Sequence, residues 1–95
     1  MRVVFTGQSK DDLREIGAHI DQDSPLDAIR FVDKLVDACL ELSDFPRRFP
    51  AEPRYGPNAH RRLFGNYLII YDVLDDRVEI LTIVHTARNL DALRD

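Results

Sequence analysis

Apolar and polar positions change their period three times along the chain. RVVFT, residues 2–6, is short, β-branched and aromatic, and predicts a first strand. Leu13, Ile16 and Ile20 then recur at helical spacing. Ser9, followed by Lys10, Asp11 and Asp12, predicts a capping-box-like start with acids where the helix dipole favours them, and a helix of about three turns ending near residues 21–23. Ser24-Pro25 predicts an immediate restart, Ser as N-cap and Pro at the first helical position. In the second helix Ile29, Phe31, Val32, Leu35, Val36, Cys39, Leu40 and Leu42 form a wide apolar arc, with Asp33, Lys34, Asp37 and Glu41 opposite. So short a link demands a tight αα-hairpin.

Phe45-Pro46 ends the second helix, and RRFPAEPRYGPNA has no periodicity and reads as a loop. HRRLF, YLIIYDVL and RVEILTIV follow, separated by Gly65-Asn66 and Asp75-Asp76, which predicts an antiparallel meander. YLIIY lacks polar alternation and predicts a strand buried on both faces. Strict alternation in the last strand puts Val78, Ile80, Thr82 and Val84 on one face and Glu79, Leu81 and Ile83 on the other. The expected fold is α+β: an N-terminal strand and a helical hairpin packed on a small antiparallel sheet, completed by a C-terminal three-stranded meander, with residues 1–95 as a single domain.

Composition narrows the class. Ninety-five residues suffice for one core, and 44% apolar with 32% charged residues describes a folding globular chain. No run approaches the ~18 apolar residues of a membrane helix, and MRVVFTGQSK lacks the features of a secretory signal, so a cytoplasmic protein without membrane association is expected. Cys39, the one cysteine, lies among apolar neighbours in VDACLEL and reads as a small buried hydrophobe.

Charge adds a polarity that the net value of −4 hides. Residues 9–44 hold ten acids against four bases, whereas residues 47–62 set Arg47, Arg48, Arg54, Arg61 and Arg62 against Glu52 alone. Two differently charged faces are expected, one of them able to meet an anion.

Most familiar chemistry is excluded by residue type. There is no GxxxxGK[ST] or GxGxxG phosphate loop, no HExxH and no paired-cysteine spacing. His19, His60 and His85 share no metal-binding spacing, so neither metal nor other cofactor is expected. Ser9 and Ser24 are explained as caps and Ser43 as part of a helix end, which leaves no serine nucleophile.

What remains is HTARNL, residues 85–90, and the basic loop. His85 is either a contact residue or an imidazole that satisfies nearby backbone groups and fixes the strand end. Arg88 is either presented to a partner by the rigid strand or paired with Asp91 or a hairpin acid. Arg61 and Arg62 open a strand and point to opposite faces, so one of them is expected in solvent or on an acid. Tyr67 and Tyr71 share a face and read as core. Arg47, Arg48 and Arg54 could meet DNA phosphate, an acidic partner or water.

DLREIGAHIDQDSPLDAIRFVDKL, LSDFPRRFP and RRLFGNYLIIYDVLDDRVEILTIVHTARN together resemble the toxins of the RelE/ParE superfamily over nearly the whole chain. The resemblance implies one of two activities. RelE-like members are ribosome-dependent mRNA endonucleases with a catalytic arginine directly after the aromatic that opens a strand, helped by lysines and a late tyrosine. Here Leu68 follows Tyr67, the only lysines are Lys10 and Lys34, and no tyrosine follows Tyr71. Arg88 alone falls where that class has a second arginine. Arg62, His85 and Arg88 could in principle supply cation, base and cation for RNA cleavage, but the matching set is absent.

The aliphatic residue after Tyr67 and the HTAR ending look more like the ParE branch, whose members are described as trapping DNA gyrase on cleaved DNA without catalysing a reaction themselves. The resemblance therefore implies a gyrase-binding toxin with no catalytic residues, Arg88, His85, Arg62 and Arg61 as target-binding candidates, and a cognate antitoxin as partner. Direct binding to nucleic acid without a protein partner is not expected. Such antitoxins wrap the toxin with a helix and an extended segment, and the hairpin's apolar arc and an open sheet edge are the expected receivers. An mRNA endonuclease and a degenerate, non-toxic antitoxin-binding homologue are the alternatives.

Overall fold

The computed structural model describes residues 1–89, apart from the side chains of residues 88 and 89. Strand β1 (Arg2–Phe5) leads into helices α1 (Gly7–Asp21) and α2 (Pro25–Leu40). Three short 3-10 turns, Glu41–Ser43, Pro46–Arg48 and Pro53–Tyr55, cross to the meander β2 (Ala59–Phe64), β3 (Tyr67–Val73) and β4 (Arg77–His85), and a last 3-10 turn spans Thr86–Asn89. The sheet order is β1-β4-β3-β2. The α+β fold with its helical hairpin and meander is as expected, with one difference. The hairpin carries the chain back across the sheet, so β1 enters parallel to β4 and the sheet is mixed.

β3 and β4 hold the centre, and Ile69, Tyr71, Val78 and Ile80 pack under Leu35, Cys39 and Leu42 with almost no exposure. Full burial of such side chains stabilises by about 1.5–3 kcal/mol each. The α2 arc is wider than the core needs: Leu26, Ile29 and Leu40 stay exposed. The two helices approach closely at Gly17, where an added Cβ would meet Val32 at 3.4 Å.

Two local expectations are corrected. Thr6, not Ser9, caps α1: its hydroxyl oxygen accepts the Ser9 N–H at 3.1 Å, while the buried Ser9 hydroxyl donates back to the Thr6 carbonyl at 2.9 Å. A single residue, Thr6, separates β1 from the helix, and the cap falls on it. The Thr6 hydroxyl also reaches the carbonyls of Ile80 and Leu81, at 2.9 and 2.8 Å, tying the helix start to β4. At Ser24 the cap is as read, accepting the Asp27 N–H at 3.3 Å.

The second correction is a bulge in β4. Tyr71 pairs with Ile80 but Ile70 pairs with Thr82, leaving Leu81 as the extra residue. Beyond it the alternation is inverted, so Ile83 joins Val78 and Ile80 in the core and Val84 leaves the face that strict alternation gives it.

Candidate functional site at the end of the last strand

β1 stops at Phe5, opposite Ile80, so the last five residues of β4 keep β3 on one side and have no strand on the other. Helix α1 takes that place through Asp12. Its Oδ2 accepts the Ile83 N–H at 2.9 Å and the Thr82 hydroxyl, and its Oδ1 accepts Gln8 Nε2 at 2.8 Å. An acid that the sequence explains by the helix dipole is thus a clamp between helix and sheet. On the other side, the Thr86 N–H donates to the Asn66 carbonyl at 2.8 Å and fixes the strand end to the β2-β3 turn, where Gly65 supplies the positive φ of 58°.

His85 sits on this braced end. Its Nδ1 accepts the Ala87 N–H at 3.0 Å, which leaves the neutral ring's proton on Nε2. Its ring meets Tyr67 in a T-shaped contact at 5.1 Å, and Tyr67 rests on Phe31 at 5.7 Å. The backbone-satisfying role open to His85 on sequence is therefore occupied, and Nε2 is the nitrogen left to meet a partner.

Between α1 and this strand end lies a cleft of about 200 Å³, into which Asp12, Glu15, His19, Tyr67 and His85 converge. The helix supplies positions 12, 15, 16 and 19, one stripe of its surface. Two carboxylates make the cleft hospitable to cations and hydrogen-bond donors and repellent to phosphate.

The remaining candidates stand elsewhere. Arg62 lies on the helix side of β2, donating from one nitrogen to the Ala38 carbonyl at 2.7 Å and to Glu41 at 2.9 Å, with its guanidinium 4.9 Å over the Phe49 ring. It neutralises the C-terminal end of α2. Arg61 points to the other face and donates to Glu52 at 3.3 Å, a carboxylate almost without exposure. The two arginines do diverge, and each already holds an acid. Arg88 follows His85 in the turn Thr86–Asn89, while its side chain and the pairing with Asp91 lie outside the described residues. Tyr71 is core, its hydroxyl donating to the Pro46 carbonyl at 2.6 Å, and burial pushes its pKa up to about 12. Burial likewise raises the Cys39 thiol to about 12 and keeps it protonated.

A second surface opens between the helices, a groove of about 560 Å³ walled by Leu13, Gly17, Ala18, Ala28, Ile29 and Val32. Arg14, Asp21 and Asp33 form its charged rim.

A family model described as the ParE toxin of the type II toxin-antitoxin system parDE matches residues 3–90. No curated protein matches the chain. Among solved structures, a chain from the chromosomal ParDE toxin-antitoxin system of P. aeruginosa is similar at 19% identity and a TM-score of 0.77, over 90% of this chain and 95% of that one. A chain of the toxin-antitoxin complex RelBE2 from Mycobacterium tuberculosis is similar at 24% identity and a TM-score of 0.65, over 88% of each. At these identities the structural likeness speaks for the fold alone.

Proposed function

The chain belongs to the ParE toxin family of type II toxin-antitoxin systems, and on that premise we propose that it acts by binding DNA gyrase and is held inactive by a cognate antitoxin. The observation that carries the choice of a binding role over RNA cleavage is the charge of the cleft beside His85. Cleavage through a 2′-hydroxyl builds negative charge on a pentavalent phosphate, which needs cations around it. Asp12 and Glu15 line the cleft instead, and Arg62 is spent on α2. Leu68, where an endonuclease of the related class carries its arginine, is 5% exposed inside the sheet and presents nothing.

In this reading the braced end of β4 presents Arg88 to the target, and His85 supports it, Nε2 being the ring nitrogen that the Ala87 N–H does not occupy. Arg61 and Arg62 contribute by holding the loop and α2 in place. The antitoxin's amphipathic helix lies in the groove between α1 and α2, where Ile29 is 62% exposed, and its extended segment adds to the open edge of β1. Both partners would be met in the cytoplasm.

The test is direct. Purified folded protein should inhibit gyrase supercoiling and accumulate cleaved DNA. Normal supercoiling in the presence of excess folded protein, with cleavage of translated mRNA instead, overturns the reading.

A further inference from the structure

Phe45 is the one non-glycine residue, among those described, with a positive φ: its backbone sits at φ 50°, ψ 55°. A left-handed backbone brings an L-residue's Cβ close to its own carbonyl, and a following proline disfavours helical backbone further. Burial of the ring does not offset that strain, because Phe45 is 79% exposed, the most exposed large apolar side chain among those described.

The surroundings hold the strained residue in place. The buried Tyr71 hydroxyl grips the Pro46 carbonyl at 2.6 Å, and the Arg48 N–H closes the turn on the Phe45 carbonyl at 3.1 Å. Phe49, packed against the core, lies beneath the guanidiniums of Arg48 and Arg62, each 4.9 Å away. The outcome is a stiff tip carrying one bare aromatic ring with the exposed Arg47 and Arg48 on the same turn. Strain that persists while a ring is held out in water is the signature of a preorganised contact.

The chemistry of the tip selects the partner. An aromatic anchor beside arginines is the composition of a protein-interface hot spot. A phosphate polymer would also accept the arginines, but Asp44 directly precedes the ring and Glu41 lies on the adjoining turn, both exposed. Charges of both signs around one ring fit a protein surface better than a uniformly anionic strand.

We propose that Phe45 is the anchor of a second target-contact surface, inserting into an apolar socket on a folded protein whose rim offers carboxylates to Arg47 and Arg48. The surface is separate from the groove between the helices. The groove uses the N-terminal half of α2, Pro25 to Val32, whereas Phe45 follows the other end of a helix about 24 Å long.

The inference rests on the gyrase reading for the identity of its partner, and the experiment separates the two. Full-length wild type, Phe45→Gly, Phe45→Trp and the double variant Arg47→Glu/Arg48→Glu are titrated into gyrase supercoiling assays, after thermal melts establish that each is folded. Phe45→Gly should melt no lower than wild type yet need at least about tenfold more protein for half-inhibition. Phe45→Trp should restore inhibition to near wild type, and the charge reversal should weaken it. A photo-crosslinking residue at position 45 should label a gyrase subunit. Wild type inert on gyrase overturns the parent reading and this one together. Wild-type inhibition retained in full by Phe45→Gly, or labelling of DNA instead of protein, overturns this inference alone.

Discussion

Asp12→Ala is the sharpest test of how the strand end is held. The substitution removes the acceptor of the Ile83 N–H and of the Thr82 hydroxyl, both on the edge of β4 that β1 leaves uncovered. Ile83 is 3% exposed, and a buried N–H left without a partner costs about 1–3 kcal/mol. The Thr82 hydroxyl is half-buried and can rotate toward water, so its share is smaller, about 0.5 kcal/mol. A total near 2 kcal/mol corresponds to a fall in Tm of about 8–16 °C for a domain of this size. Asp12→Asn should cost less, because its amide oxygen can still accept the Ile83 N–H. Exchange of the Ile83 amide, followed by NMR, should accelerate in Asp12→Ala more than exchange at Ile69 in the sheet centre. A double-mutant cycle with Thr82→Val should show coupling between the two sites. If Asp12→Ala melts within about 2 °C of wild type and leaves Ile83 exchange unchanged, the clamp is not what holds this end.

Three further outcomes follow from other contacts. Arg61→Ala strands the Glu52 carboxylate in a nearly buried position and should cost about 1–3 kcal/mol in urea denaturation, whereas the joint replacement Arg61→Ala/Glu52→Gln should recover part of it; equal losses would deny the pair a structural role. Arg88→Ala should leave Tm unchanged and raise the concentration for half-inhibition of gyrase about tenfold or more, and full inhibition by the folded variant would remove Arg88 from the contact. Asp72, with its Oδ1 buried and unpartnered, has its pKa raised by burial and then by Glu79, against the opposing pull of His60. A carboxyl raised in the folded state binds its proton more tightly there, so its stabilising contribution is present below the ordinary value of 3.8 and is lost as pH rises through the folded value. Asp72→Asn should therefore raise Tm at neutral pH, with the gain shrinking as pH falls toward 3.8; a gain independent of pH would refute the assignment.

The parts of the fold legible in the chain are those encoded by neighbours in sequence. Gly65-Asn66 and Asp75-Asp76 mark turns, and unbroken apolar runs mark central strands, so the meander and its burial could be read directly. The divergence of Arg61 and Arg62 follows from the two-residue period of a strand. The bulge at Leu81 could not be read, because RVEILTIV alternates acceptably in either register and only the pairing with β3 decides. Nor could the direction of β1, whose partner lies over seventy residues away. The cleft was hidden for the same reason. Asp12, Glu15 and His19 carry the spacing of a helix stripe, but the stripe becomes a wall only because β1 ends early and leaves β4 beside α1. Phe45 could be located as a helix end, while the strain that singles it out is a property of backbone angles.

The positions of these features constrain how the molecule can work. A toxin neutralised by a partner must lose its target contacts when that partner binds, either because the partner covers them or because it prevents the toxin from docking. The groove uses the outer surfaces of α1 and α2, and α1 is also one wall of the cleft beside His85. A helix bound in the groove therefore lies on the same element that, through Asp12, sets the position of the β4 end. The tip at Phe45 lies beyond the opposite end of α2 and is secured by Tyr71 from within the sheet, without α1. Occupation of the groove should thus act on the β4 end and leave the tip open. If both surfaces touch the target, neutralisation need block only one of two contacts that together supply the affinity. Because linked contacts multiply rather than add in their effect on binding, losing either lowers the affinity by the whole factor that contact supplied.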